Sequence, residues 1–107
     1  MKKFNKLVRD KIPEIINNDV NKKAITSILN DEEYKKELNK KLLEEVNEYL
    51  EDDNVEELAD IVEVVYGILY SKGVSIEDFE KIRKDKVEKR GAFYNKVYLE
   101  GVEENGK

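Results

Sequence analysis

The chain has 107 residues, a formal net charge of −5, no cysteine and no histidine. These absences exclude disulfides, zinc sites built on cysteine or histidine, Cys–His nucleophilic pairs and histidine general bases. The acidic balance argues against a nucleic acid polymer as partner, because proteins that bind one present basic surfaces to its phosphates.

Length and composition predict one domain spanning residues 1–107. Charged residues make up 42% and hydrophobic residues 39% of the chain, which is typical of a folded, helix-rich protein. No apolar run is long enough to span a membrane, and the N-terminus lacks the apolar core of a signal peptide. We therefore expect a cytoplasmic protein with no membrane partner.

Start and stop signals predict two helices in the first half of the chain. Pro13 suits the first position of a short helix that ends near Asn18. Asn30, with Glu33 three residues later, forms a capping-box pattern that opens a long helix ending near Glu51.

The second half of the chain carries the signals for two more helices. Either Asp53 or Asn54 caps a third helix, which should end near Ser71. Ser75 opens a fourth helix that should end near Arg90. Residues 24–29 and 93–99 are rich in β-formers, and they could pair as strands. The predicted fold is an all-α helical bundle built on an antiparallel helix pair, with a possible small two-stranded β element.

An acidic segment dominates the two central helices. No basic residue lies between Lys41 and Lys72, so the segment carries a formal charge of −10 and the rest of the chain +5. Its acidic residues are Glu44, Glu45, Glu48, Glu51, Asp52, Asp53, Glu56, Glu57, Asp60 and Glu63. Apolar residues recur through the segment at helical spacing, which is not the pattern of a disordered acidic tail.

Helical phase separates these acids into two classes. Glu45 falls within the apolar arc of its helix and Glu48 at the edge of that arc, while Glu57 and Asp60 repeat the i, i+3 spacing on the next helix. The remaining acids fit an ordinary solvated surface, and Glu44 stays undecided. A short link would bring the two pairs together across an antiparallel hairpin. Four converging carboxylates predict a site for one or two Mg²⁺ ions, with Mn²⁺ as a substitute.

Basic residues supply two candidate phosphate-binding groups. One group, on the fourth helix, continues an apolar stripe toward the C-terminus: Arg83, Lys86 and Arg90. It fits a phosphate clamp, and it equally fits ordinary cations at a helix C-terminus. The other group is Lys6, Arg9 and Lys11, for which a solvated surface is the commoner explanation and Arg9 is the candidate substrate-binding residue.

Four motifs resemble a known superfamily, the all-α nucleoside triphosphate pyrophosphohydrolases. Two of them match its EExxE…ExxD pattern: E-E-V-N-E at 44–48 and E-E-L-A-D at 56–60. The other two are similar to a small single-domain branch of MazG-like or phosphoribosyl-ATP pyrophosphohydrolase-like proteins: K-L-V-R-D-K-I-P at 6–13 and K-R-G-A-F at 89–93. The resemblance covers nearly the whole chain.

The resemblance implies an all-α NTP pyrophosphatase-like fold and an enzyme. The implied reaction is Mg²⁺-dependent hydrolysis of a nucleotide between its α and β phosphates, which gives a nucleoside monophosphate and pyrophosphate. The implied metal ligands are Glu45, Glu48, Glu57 and Asp60, with Glu44 as an accessory. Homodimers or homotetramers are also implied.

The resemblance further implies roles in catalysis. Water activated by metal and carboxylate would attack phosphorus, with Glu45, Glu48, Lys86 and Arg90 as the catalytic residues. The substrate-binding residues would be Arg9, Arg83, Lys86 and Arg90. The alternative is a non-catalytic helical interaction or regulatory module with a solvated acidic face. Such a module would place leucine rather than glutamate at positions 45 and 57.

Overall fold

The computed structural model describes residues 1–104 and 106, and this part of the chain contains four α-helices. They are α1 (Ile12–Asn17), α2 (Asp31–Asp52), α3 (Val55–Ser71) and α4 (Ile76–Arg90). The all-α prediction is confirmed, and each helix lies within a residue or two of its predicted bounds. None of these helices is long and apolar enough to cross a membrane.

The predicted two-stranded β element is not confirmed. Residues 24–29 and 93–99 form no strand in the part of the chain that the structure describes. At the start of the first segment, the backbone N–H of Ala24 donates instead to the side chain of Asn17, at 2.8 Å. Tertiary contacts divide the chain into two units, Met1–Ser75 and Ile76–Lys107, and the two segments belong to different units. The single-domain assignment stays a prediction.

Helix α2 begins with the predicted capping box. The Asn30 side chain accepts the backbone N–H of Glu33 at 2.8 Å, and the Glu33 side chain accepts the backbone N–H of Asn30 at 3.4 Å. The first turn also carries acidic residues, which the positive end of the helix dipole favours. Local sequence therefore determines where α2 starts.

Two residues link α2 to α3. Asp53 takes the left-handed conformation with φ 48°, and its N–H donates to the Tyr49 carbonyl oxygen at 2.8 Å. Asn54 then caps α3, accepting the backbone N–H of Glu56 at 2.9 Å. Because the link is this short, α3 runs back along α2, and the two helices pack as a hairpin. This hairpin is the main packed element of the first unit.

The interior of the hairpin is apolar at one end and acidic at the other. Leu38 on α2 and Leu69 on α3 are buried, with exposed fractions of 4% and 8%. The helices approach closely at Gly67, where a Cβ atom would lie 3.0 Å from Leu38 Cδ2. Two turns after Leu38, the same stripe of α2 is occupied by Glu45, which is also buried. The stripe thus changes from leucine to carboxylate toward the α2–α3 link.

The second unit contains α4 and the segment that follows it. Gly91, with φ 82°, allows the chain to turn directly after Arg90. Beyond it, Phe93, Tyr94 and Tyr98 are 98%, 90% and 88% exposed. The side chains of these three aromatic residues are therefore exposed to solvent.

Candidate metal centre

Helix α2 and helix α3 bring the predicted ligands together around Glu45. Oxygen atoms of Glu45, Glu57 and Asp60 lie within 4.8 Å of one another, and so do oxygen atoms of Glu44, Glu45 and Glu48. Glu45 belongs to both groups, which we call together the carboxylate cluster. All four predicted ligands are members, and Glu44, which the sequence left undecided, is the fifth.

Glu45 is the buried member of the carboxylate cluster, with an exposed fraction of 7%. Its Oε1 atom lies 3.4 Å from Lys41 Nζ, whereas its Oε2 atom is buried without a hydrogen-bond partner among the described residues. Burial, together with a hydrogen bond and charge repulsion from Glu48, raises the pKa of Glu45, and Lys41 offsets part of this rise. An unpaired buried carboxylate oxygen is costly unless a cation or a donor completes it.

Glu57, on the opposite helix α3, is a second carboxylate with an unpaired oxygen. Its side chain is half-buried, and its Oε2 atom also lacks a partner among the described residues. Partial burial, followed by repulsion from Asp60, Asp52 and Glu45, raises the pKa of Glu57. Two carboxylate oxygens, one from each helix, are therefore short of positive charge or hydrogen-bond donors.

Three cationic side chains lie against the carboxylate cluster, but they do not neutralise all of its negative charge. Arg9 pairs with Asp60, and Lys6 Nζ lies 3.9 Å from Glu44 Oε1. Lys41 Nζ is 3.6 Å from Glu44 and 3.4 Å from Glu45. Five carboxylates facing three cations leave two negative charges, which one divalent cation would neutralise.

The donor set of the carboxylate cluster could hold a metal ion. Every candidate ligand atom is a carboxylate oxygen, the donor type that hard cations select. In each group the candidate oxygens lie within 4.8 Å of one another, so either group could hold an ion.

The predicted phosphate-binding residues are divided between the two units. Arg83, Lys86 and Arg90 lie on α4 with exposed side chains, and Arg83 donates to both carboxylate oxygens of Glu80 at 2.8 to 3.1 Å. Their role as a clamp stays a prediction. Arg9 lies in the first unit, where its guanidinium contacts Asp60 at 2.5 Å.

Sequence reasoning overlooked two residues of the site. Lys41 marks the boundary of the acidic segment, and its spacing of three and four residues from Glu44 and Glu45 is that of helical ion pairs. Asp52 was counted among the solvated acids, but its charge and hydrogen bond contribute to the raised pKa of Glu57. No local sequence pattern predicts the interaction of Asp52 with Glu57, because it depends on how the hairpin closes.

Comparison with known proteins adds no relative. No family model, curated protein or solved structure matches this chain. The resemblance to the all-α pyrophosphohydrolases therefore stays a prediction carried by the motifs.

The raised pKa values predict how stability depends on pH. A carboxyl group whose pKa is higher in the folded chain binds its proton more tightly there, so it favours folding below its unfolded pKa of about 4.3. That contribution is lost as pH rises through the folded pKa. In EDTA, we expect the free energy of unfolding of wild type to fall more between pH 5 and pH 7.5 than that of Glu45→Gln.

Urea denaturation at the two pH values measures this difference. Glu51→Gln is the matched control, because Glu51 is an exposed acid of the same helix. Parallel pH profiles for wild type and Glu45→Gln would show that burial does not hold the proton on Glu45.

Proposed function

We propose that this chain is an Mg²⁺-dependent nucleoside triphosphate pyrophosphohydrolase. It cleaves a nucleotide between the α and β phosphates and releases a nucleoside monophosphate and pyrophosphate. The observation that carries the proposal is Glu45, buried at the junction of both carboxylate groups with one oxygen unpaired. A residue that served only solubility would gain nothing from this position, whereas a metal ligand requires it.

In this proposal the carboxylates have two roles, metal binding and proton transfer. Glu45, Glu57 and Asp60 would hold the ion from two helices, and Glu48, which groups with Glu45, would be a further ligand. A divalent cation here supplies Lewis-acid chemistry, since it neutralises phosphate oxygens and makes a nearby water molecule more acidic. Glu48 is half-buried beside Glu45 in the carboxylate cluster, and its role would be to accept a proton from the attacking water. The chain has no histidine that could take this role.

The phosphate chain of the substrate is assigned to the cations of α4. Lys86 and Arg90, assisted by Arg83, would neutralise the charge that develops on the transferring phosphoryl group. Lys86 and Arg90 are exposed on one face of α4, which would suit an anionic ligand. Arginine in particular offers paired donors in the geometry that phosphate oxygens accept.

A non-catalytic interaction module is the competing proposal. Exposed apolar side chains on the hairpin favour association with a protein, but an associating enzyme would show them too. The buried, unpaired carboxylate oxygens of Glu45 and Glu57 favour the enzymatic proposal. A module that uses acids only for solubility would leave those oxygens in water.

A pyrophosphate-release assay tests the enzymatic proposal. Canonical and modified nucleoside triphosphates are incubated with the chain and Mg²⁺, and products are identified by ³¹P NMR. We expect monophosphate and pyrophosphate in Mg²⁺ or Mn²⁺, and no turnover in EDTA. Orthophosphate as the first product, or full activity in EDTA, would contradict the proposal.

We also propose that the protein is a homodimer or homotetramer. Leu43 and Leu50 are 63% and 70% exposed, and they lie two turns apart on one face of α2. Neighbouring exposed leucines of this kind mark association surfaces. Sedimentation equilibrium should give a mass of two or four chains, and Leu43→Glu should reduce it. Lys23→Glu, in the segment before α2, is the control, and a monomeric wild type would refute the assignment.

A further inference from the structure

The N-terminal arm, which we define as residues 6–10, lies along the α2–α3 hairpin. At the acidic end Lys6 faces Glu44 and Arg9 pairs with Asp60. Next to Arg9, Asp10 approaches Tyr34 of α2, whose pKa is raised by burial and then by the Asp10 charge. Residues 7 and 8 between these contacts are half-buried. The arm thus places the cations of Lys6 and Arg9 on the carboxylate cluster.

We propose that Arg9 and a divalent cation exchange at Asp60. In the metal-free chain Arg9 is the counter-ion of Asp60, and metal binding releases its guanidinium to the phosphate chain of the substrate. This inference rests on the proposed function, and it explains why a residue predicted to bind substrate is found on a predicted metal ligand.

The contact between Arg9 and Asp60 has the properties of an exchangeable pair. Both side chains are well exposed, 55% for Arg9 and 38% for Asp60, so water and salt compete with their attraction. Asp60 also belongs to the Glu45–Glu57–Asp60 group, which would close around an ion. The positive charge of that ion would repel the guanidinium from the same carboxylate.

Release would leave Arg9 close to the site. Lys6 of the same arm still lies 3.9 Å from Glu44, and residues 7 and 8 are half-buried, so the arm has contacts other than the Arg9–Asp60 pair. A guanidinium freed beside the site would be available to the phosphate oxygens when the substrate arrives. Its planar set of donors matches phosphate oxygens, which makes Arg9 a phosphate-binding residue of the loaded site.

Metal affinity in the absence of nucleotide tests the exchange. Calorimetric titration with Mn²⁺ compares wild type with Arg9→Gln, Arg9→Lys and Lys11→Gln. We expect Arg9→Gln to bind Mn²⁺ about two- to fivefold more tightly, because the competing cation is gone. Arg9→Lys keeps a competing charge and should bind like wild type. Lys11→Gln should also bind like wild type, since Lys11 has no ion pair with the described residues.

Binding of inorganic tripolyphosphate in saturating Mn²⁺ tests the second half of the exchange. We expect Arg9→Gln to bind it about tenfold more weakly, and Lys23→Gln, which removes an exposed charge outside both basic groups, to bind it normally. Unchanged or weaker Mn²⁺ binding by Arg9→Gln would overturn the exchange while leaving the metal site in place. Unchanged tripolyphosphate binding would overturn the assignment of Arg9 to phosphate. If wild type binds no Mn²⁺, the proposed function itself is wrong and the exchange is overturned with it.

Discussion

Replacing Glu45 with glutamine is expected to raise the melting temperature of the metal-free protein and to lower hydrolysis by orders of magnitude. Glutamine keeps the shape of the side chain and removes a charge that is 7% exposed beside Glu48. A buried unsatisfied oxygen costs about 1–3 kcal/mol. Lys41 retains Glu44 as a partner in the variant, at 3.6 Å. Relief of about 1 kcal/mol would raise the melting temperature by roughly 4–8 °C in a domain of this size.

Thermal melts with and without Mg²⁺ complete this test. At a hundredfold excess over its dissociation constant, Mg²⁺ should stabilise wild type by about 2.7 kcal/mol and Glu45→Gln by much less. Glu51→Gln removes an exposed charge from the same helix and should melt and respond to Mg²⁺ like wild type. Identical behaviour of the two variants would mean that burial of Glu45 has no part in metal binding.

Arg90→Ala is expected to lower turnover about 10²- to 10³-fold without changing Mg²⁺ affinity. The reason is that a cation assigned to the transferring phosphoryl group acts on the transition state and not on the metal ligands. Steady-state kinetics measure the first effect, and calorimetric titration with Mg²⁺ measures the second.

The neighbouring residue Lys89 provides a matched control for Arg90. Its Nζ atom lies 3.1 Å from Asp85 of the same helix, so its charge already has a partner. Lys89→Ala should therefore keep nearly full turnover. Loss of Mg²⁺ affinity in Arg90→Ala, or an equal loss of turnover in both variants, would remove α4 from the phosphate-binding role.

Local sequence signals predicted most of what depends on a single helix or turn. The Asn30 capping box was readable because its partners are three residues apart. The burial of Glu45 followed from helical phase, which also indicated that the two acidic pairs would share one side of the hairpin. These predictions need only the geometry of an α-helix and the shortness of the α2–α3 link.

The same local signals could not predict contacts between residues that are far apart in the sequence. Arg9 and Asp60 are 51 residues apart, and nothing in the local pattern of either indicates that they pair. Leu43 and Leu50 are apolar residues of α2, yet both are exposed. Among the described residues, α3 is the helix that packs against α2, and it covers a narrower stripe than the apolar arc of α2. Periodicity therefore overestimated how much of that arc is buried.

The most direct measurement of the central claim is a crystal structure of the chain with Mn²⁺, recorded at the manganese absorption edge. Anomalous scattering identifies the ion independently of the surrounding electron density. The account predicts a peak within bonding distance of Glu45 and of at least one carboxylate from α3, either Glu57 or Asp60. A map without an anomalous peak at the carboxylate cluster, from crystals held at saturating Mn²⁺, would contradict the account.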